Sequence, residues 1–135
     1  MLFRSLLLIP GERYVEYKMA LNEDITPCDF SAPDYYVRGI VDLLIVDGDV
    51  AFIVDYKTGS AKYPDSKQLA LMALMTFAHF TEVRRIKAGL LFVAHNVFIP
   101  QDYARKDVDN LLAMFKKDLV RLEHSFKEKI GRAHV

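Results

Sequence analysis

The sequence is poor in the residues that define several specialised classes of protein. Among its 135 residues, Cys28 is the single cysteine, and there is no tryptophan. A disulfide scaffold and a zinc site made only of cysteines are therefore excluded, and the lone thiol fits a reducing compartment. No apolar run approaches the ~18 residues needed to cross a bilayer, so we expect no membrane span.

The chain also lacks net charge, because 18 basic residues balance 18 acidic ones. Binding of nucleic acid through the overall field of the protein is not expected, which leaves room only for a local basic patch. The charges are distributed unevenly along the chain. Residues 1–60 carry five basic and ten acidic side chains, and residues 61–135 carry thirteen basic and eight acidic ones. An acidic half that is also rich in predicted strands is a candidate cation site.

The remaining composition is that of one folded domain. Hydrophobic residues make up 52% and charged residues 27%, which excludes an intrinsically disordered chain. Residues 2–5 and 130–133 can be encoded by one short DNA string read on opposite strands, as a translated sequencing adapter would be. We therefore expect a domain over residues 6–129 that is truncated at both ends, with residues 1–5 and 130–135 as non-native tails.

Hydrophobic patterns predict an α/β fold in the order β-β-β-α-β-α. Strands are predicted at residues 13–21, 35–46, 50–57 and 87–96, and helices at 64–80 and 108–129. The sequence Asp47-Gly48-Asp49 predicts a tight hairpin between the second and third strands. These two strands are apolar on both faces, which is typical of a mixed central sheet flanked by helices.

The hairpin brings two carboxylates and an amine together. If the loop is Gly48-Asp49, Asp42 lies directly opposite Asp55; if it is Asp47-Gly48, Asp55 is a diagonal neighbour. Either two-residue loop places Asp42, Asp55 and Lys57 on one face, because side chains alternate along a strand. An odd-length loop would separate them.

Two acidic groups on an otherwise apolar sheet face need a cation between them. Like charges directly opposite destabilise a sheet, and each unpaired buried charge costs several kcal/mol. Lys57 supplies one positive charge, and a divalent metal would supply two more. Carboxylate oxygens suit Mg²⁺ or Mn²⁺. The simpler interpretation of a bare D-x-K is a buried Asp–Lys salt bridge, and the second carboxylate favours a site.

The order of these motifs resembles the PD-(D/E)XK nuclease superfamily. The motif G-I-V-D at 39–42, then D-Y-K-T-G at 55–59, then Gln68 in the next predicted helix, is most similar to the RecB-like exonuclease branch, which includes CRISPR-associated nucleases. The resemblance covers roughly residues 13–125 and extends to nuclease-domain proteins of phages and prophages. It implies a restriction-endonuclease-like fold and hydrolysis of DNA in the cytoplasm of a bacterium or phage-infected cell.

The resemblance also implies roles for individual residues. It makes Asp42 and Asp55 metal ligands and Lys57 the catalytic lysine, with the Tyr56 backbone carbonyl completing the metal shell. Gln68 matches the glutamine of a Q-x-x-x-Y motif that helps to hold DNA, although Met72 stands at its fifth position. The resemblance also implies that Glu16 is a further metal or water ligand. Independently of the resemblance, Lys62 and Lys67 form a basic cluster near the predicted site and are expected to contact DNA phosphates.

The principal alternative is a catalytically inactive DNA-binding or structural domain of the same fold. A small-molecule enzyme has no glycine-rich phosphate loop to support it. A cysteine-ligated iron–sulfur cluster needs more thiols than Cys28 provides. The sequence leaves open endonuclease against exonuclease action, strand polarity, single- against double-stranded DNA, and oligomeric state.

Overall fold

One six-stranded mixed sheet organises the chain. The computed structural model describes residues 8–58 and 66–115. Two short 3₁₀ turns, Val93–His95 and Arg105–Asp107, lie around the last strand, and residues 108–115 are helical. The main elements are β1 (Glu12–Leu21), β2 (Pro27–Cys28), β3 (Val37–Asp47), β4 (Val50–Lys57), α1 (Ser66–His79), β5 (Arg85–Phe92) and β6 (Val97–Ala104).

The strands lie in the order β2-β1-β3-β4-β5-β6. Strands β4 and β5 are parallel, and every other neighbouring pair is antiparallel. A parallel pair needs a crossover connection, and α1 provides it between β4 and β5. This confirms the predicted mixed sheet of an α/β fold.

The edges of the sheet differ from the prediction. The expected strand at 87–96 ends at Phe92, because the chain turns through residues 93–95 and Asn96 adopts a φ of 50°. The following strand β6 was missed, and so was the two-residue β2 inside a predicted loop. Strand β6 lies at the edge and contains Pro100, which an edge strand tolerates because its outer N–H groups need no partner.

The main core lies between one face of the sheet and the helices. Helix α1 is apolar almost all round, as predicted for a buried helix, and its Leu69, Leu74 and Phe77 are at most 2% exposed. Leu111 and Phe115 of the second helix join the same cluster. The opposite face carries a smaller buried cluster made of Leu43, Ile45, Val54 and Leu91.

Side-chain hydrogen bonds hold the C-terminal end of α1. Arg105 donates hydrogen bonds to the carbonyl oxygens of Phe77, in the last turn of α1, and of Phe80 and Val83, after it, at 2.7–3.1 Å. His79, the last residue of α1, donates from Nε2 to the Ala20 carbonyl of β1 at 2.8 Å. The bond to Phe77 satisfies a carbonyl that the helix end leaves without a partner, and together these contacts fix α1 on the sheet.

Residues 116–129 of the second predicted helix and the two expected tails lie outside the described residues. Among the residues that are described, no helix is long and apolar enough to cross a membrane.

Candidate active site

The β3–β4 hairpin has the first of the two predicted registers. Pairing runs from Asp47 opposite Val50 to Leu43 opposite Val54, so the loop is Gly48-Asp49. Gly48 adopts a φ of 61° at the first loop position, which fits the hairpin turn that requires glycine there. Asp42 on β3 and Asp55 on β4 therefore lie one position farther from the loop than the last pair, Leu43 and Val54.

Side-chain alternation on β3 changes phase at Asp42. Leu44 and Val46 pack into the main core, and Leu43 packs on the opposite face. Strict alternation would place Asp42 and Ile40 on the core face with Leu44. Instead Val41 is fully buried in the main core and Ile40 is 43% exposed. Alternation is therefore interrupted in the part of β3 that precedes Leu43, although the Asp42 carboxylate still lies close enough to Asp55 to interact with it.

The change of phase opens a gap between β3 and β4. Pairing with β3 ends at Val54, whereas β4 continues to pair with β5 as far as Lys57. Asp42 lies at this gap, and its Oδ2 accepts a hydrogen bond from the Tyr56 backbone N–H at 2.9 Å. A side chain thus takes the place of the backbone acceptor that a continuing ladder would supply, and the Asp42 carboxylate points towards β4.

Asp55 is the buried carboxylate of the site. It is 5% exposed, and its Oδ2 lies 2.8 Å from Nζ of Lys57. Within the described part of the chain, however, no donor meets this oxygen with hydrogen-bond geometry. Burial raises the pKa of the Asp55 carboxyl; Lys57 opposes the rise, and the nearby Asp42 carboxylate adds to it. One lysine therefore compensates incompletely for two neighbouring acids.

Lys57 is held from two sides. Besides its ion pair with Asp55, its Nζ donates to Oε1 of Gln68 at 2.6 Å. Gln68 lies in the first turn of α1, so the helix that crosses from β4 to β5 brings this amide to the end of β4. The structure thus places Gln68 beside the lysine, and Met72, one turn later, is buried in the core at 3% exposure.

Gly39, the glycine of the G-I-V-D motif, lies under α1. A Cβ atom built on this glycine would lie 2.9 Å from Cε of Met75, the flexible end of a side chain that can shift. Gly39 lies on β3, three residues before Asp42.

One predicted metal ligand, Glu16, does not gather with the two aspartates in the described residues. Glu16 is exposed, and no three Asp, Glu, His or Cys side chains in residues 8–58 and 66–115 gather closely enough to hold one ion. The expected third acidic ligand is therefore not supported, because the φ of 51° at Glu16 interrupts the alternation of β1. Lys67 is exposed on α1, and Lys62 lies outside the described residues.

Sequence reasoning missed one contact, the bond between Asp42 and the Tyr56 amide. A backbone N–H carries no signal in residue type, so only the end of strand pairing reveals it. The Tyr56 side chain is 36% exposed, and the residue lies between Asp55 and Lys57.

The group of atoms is suited to a hard divalent cation. Two carboxylates approach each other at the gap, one of them buried and with an oxygen that lacks a hydrogen-bond donor. Oxygen donors of this kind are those that Mg²⁺ and Mn²⁺ prefer. A cation between the two acids would remove the electrostatic cost that Lys57 leaves, and the amine would remain beside it.

Comparison with known proteins places the chain in one family. The sequence profile described as the PD-(D/E)XK nuclease superfamily matches residues 5–132. No curated protein matches the chain. Members of this superfamily are typically nucleases that use divalent metal ions. The match spans nearly the whole sequence, and with this sheet and these motifs the chain belongs to the PD-(D/E)XK nuclease superfamily.

Proposed function

We propose that this protein is a Mg²⁺- or Mn²⁺-dependent deoxyribonuclease that hydrolyses phosphodiester bonds at the gap between β3 and β4. The observation that best supports this proposal is the environment of the Asp55 carboxylate. This buried carboxylate lies beside a second acid, and the Lys57 ammonium at 2.8 Å offsets only part of the charge of the pair. A purely structural salt bridge would not require the second acid.

Asp42 and Asp55 are the residues that would hold the cation, with the Tyr56 carbonyl as a third oxygen. The bound ion would supply positive charge to the phosphate and lower the pKa of water. The chain's own contribution is positional. The Tyr56 N–H fixes the Asp42 carboxylate, and Gln68 and Asp55 hold the Lys57 ammonium at one point.

Lys57 is the proposed catalytic amine. Its side chain is 28% exposed, so the ammonium is fixed by two partners and still accessible from solvent. An ammonium held in this way can donate a hydrogen bond to a phosphate oxygen and stabilise charge that develops during displacement. The contact with Gln68 preorganises this donor, because it fixes the position of the Lys57 ammonium.

The substrate and the branch of the superfamily are further parts of the proposal. The order G-I-V-D, D-Y-K-T-G and glutamine supports a RecB-like nuclease of bacterial or phage origin that acts on DNA in the cytoplasm. Lys67 is exposed on the same helix as Gln68 and could contact a phosphate, as basic side chains commonly do; Lys62 is proposed for the same role.

The test measures cleavage of linear, circular and single-stranded DNA by the unsubstituted protein, Asp55→Asn, Lys57→Ala and Lys87→Ala. Lys87 is an exposed lysine on β5, so its substitution is the matched control for loss of a charge. We expect cleavage that requires Mg²⁺ or Mn²⁺, at least a hundredfold loss in Asp55→Asn and Lys57→Ala, and little change in the control.

Equal cleavage by all four proteins would show that the activity does not come from this site. If none of them cleaves DNA but Mn²⁺ still stabilises the unsubstituted protein, the site binds metal without catalysis. That result would favour the inactive DNA-binding or structural domain.

A further inference from the structure

Strand β1 contains a residue in an unusual backbone conformation. Of the three non-glycine residues with positive φ in the described ranges, Glu16, Ile25 and Asn96, only Glu16 lies within a strand. A left-handed conformation is disfavoured for residues with a Cβ atom, so it persists only where the surrounding structure fixes it.

Glu16 lies opposite Asp42. Strand β1 pairs Val15 with Leu43 and Tyr17 with Val41, and the intervening residues, Glu16 and Asp42, form no ladder pair. Glu16, the left-handed residue, therefore lies across the sheet from Asp42, the proposed metal ligand.

Both strands change phase at this point. On β1, the aromatic side chains that pack on the main core are Tyr14 before Glu16 and Tyr17 after it. Two residues on the same face of a regular strand are an even number of positions apart, whereas Tyr14 and Tyr17 are three positions apart. The same change occurs on β3, where Leu44 and Val41 face the core.

We propose that Glu16 is a positioning residue that acts through its backbone, turning β1 and β3 together so that Asp42 points into the gap beside β4. With an extended residue at position 16, the alternation would continue and place Asp42 on the core face beneath α1. The β3–β4 ladder could then extend, and the Tyr56 N–H would bond to backbone instead of to the Asp42 carboxylate.

The Glu16 carboxylate is not required for this role. The side chain is exposed and does not belong to any metal-competent group among the described residues. The proposal therefore concerns which residues can adopt the left-handed conformation, and it assigns no ligand to Glu16.

The test compares Glu16→Val, Glu16→Gly and Glu16→Gln with Glu12→Val. Glu12 is exposed on the same strand and lacks a positive φ, so Glu12→Val is the same chemical change in an ordinary strand residue. The first readout is hydrogen exchange of the Tyr56 amide in metal-free protein, which reports its bond to Asp42. The second is the dissociation constant for Mn²⁺, which rests on the proposed function.

We expect Glu16→Val to exchange the Tyr56 amide about tenfold faster and to bind Mn²⁺ about tenfold more weakly. Tenfold corresponds to about 1.4 kcal/mol, and β-branched valine adopts positive φ much less readily than unbranched glutamate. Glycine adopts positive φ readily, so Glu16→Gly should stay within about twofold of the unsubstituted protein in both readouts. Glu16→Gln and Glu12→Val should also stay close to it.

Three results would overturn the inference: Glu16→Val matching Glu12→Val, Glu16→Gly losing as much as Glu16→Val, or Glu16→Gln losing as much as Glu16→Val. If Glu16→Val fails to fold, the glycine and glutamine variants decide the question by the same criteria. Mn²⁺ binding that Asp42→Asn leaves unchanged would refute the proposed function, and the Tyr56 amide would still test the role of Glu16.

Discussion

Replacing Asp55 by asparagine distinguishes a metal site from a structural salt bridge. Asparagine has nearly the same shape as aspartate but no charge. If the Asp55–Lys57 pair exists to stabilise the fold, Asp55→Asn should destabilise the metal-free protein. If Asp55 is a metal ligand kept ionised at a cost, the same change should stabilise it.

The structure favours the second outcome. Asp55 is 5% exposed, and the effective cost of burying an ion is several kcal/mol. The partly exposed Lys57 side chain offsets part of this cost, and the Asp42 carboxylate adds to it. We expect the free energy of unfolding of metal-free Asp55→Asn to be about 1–2 kcal/mol higher at neutral pH, a fraction of the cost of an uncompensated buried ion.

The difference between the two proteins should depend on pH with a defined sign. The pKa of Asp55 is raised in the folded protein, so its contribution to stability is complete below the ordinary pKa of an aspartate. That contribution is lost as pH rises through the folded-state pKa. The advantage of Asp55→Asn should therefore disappear in acid and reach its full size at neutral pH.

Metal should reverse the order of stability. A ligand at one hundred times its dissociation constant stabilises the folded state by about 2.7 kcal/mol. Mn²⁺ should therefore raise the unfolding free energy of the unsubstituted protein above that of Asp55→Asn, which loses a ligand. Urea unfolding with EDTA and with Mn²⁺, at acid and neutral pH, measures all four conditions.

The control is Asp102→Asn, since Asp102 is an exposed strand aspartate paired across the sheet with Lys87. It should change stability little, and it should not alter the response to Mn²⁺. If metal-free Asp55→Asn proves less stable than the unsubstituted protein at neutral pH, the pair with Lys57 is a structural salt bridge and the reasoning above is wrong.

Three further substitutions test other parts of the structure. Gly89→Ala should lower the free energy of unfolding by about 2 kcal/mol or more in urea, because the added Cβ would overlap the Phe98 ring; a loss below about 0.5 kcal/mol would contradict this packing. Arg105→Lys should lower the thermal midpoint by several degrees, because lysine cannot reproduce three hydrogen bonds to carbonyls at the end of α1; an unchanged midpoint would show that these bonds contribute little. Gln68→Ala should reduce kcat about tenfold with a small effect on unfolding, because it releases Lys57; a change confined to KM would assign Gln68 to substrate binding instead.

Local patterns in the sequence are sufficient to predict most of the elements and the members of the site. Continuous apolar runs identify strands that are buried on both faces, and Gly48 between two aspartates identifies the hairpin. Alternation within β4 correctly places Asp55 and Lys57 on one face, because nothing interrupts that strand. The same patterns fail at β6, where Pro100 and polar residues at an edge weaken the strand signal.

The direction of Asp42 was decided by tertiary structure alone. The sequence contains the acid and its distance from the hairpin, but simple alternation does not predict the interruption of β3 at Asp42. Its actual position depends on a left-handed residue on a different strand and on the end of pairing with β4. Backbone conformation at one residue depends on the strands packed beside it, and such non-local constraints have no counterpart in local residue patterns.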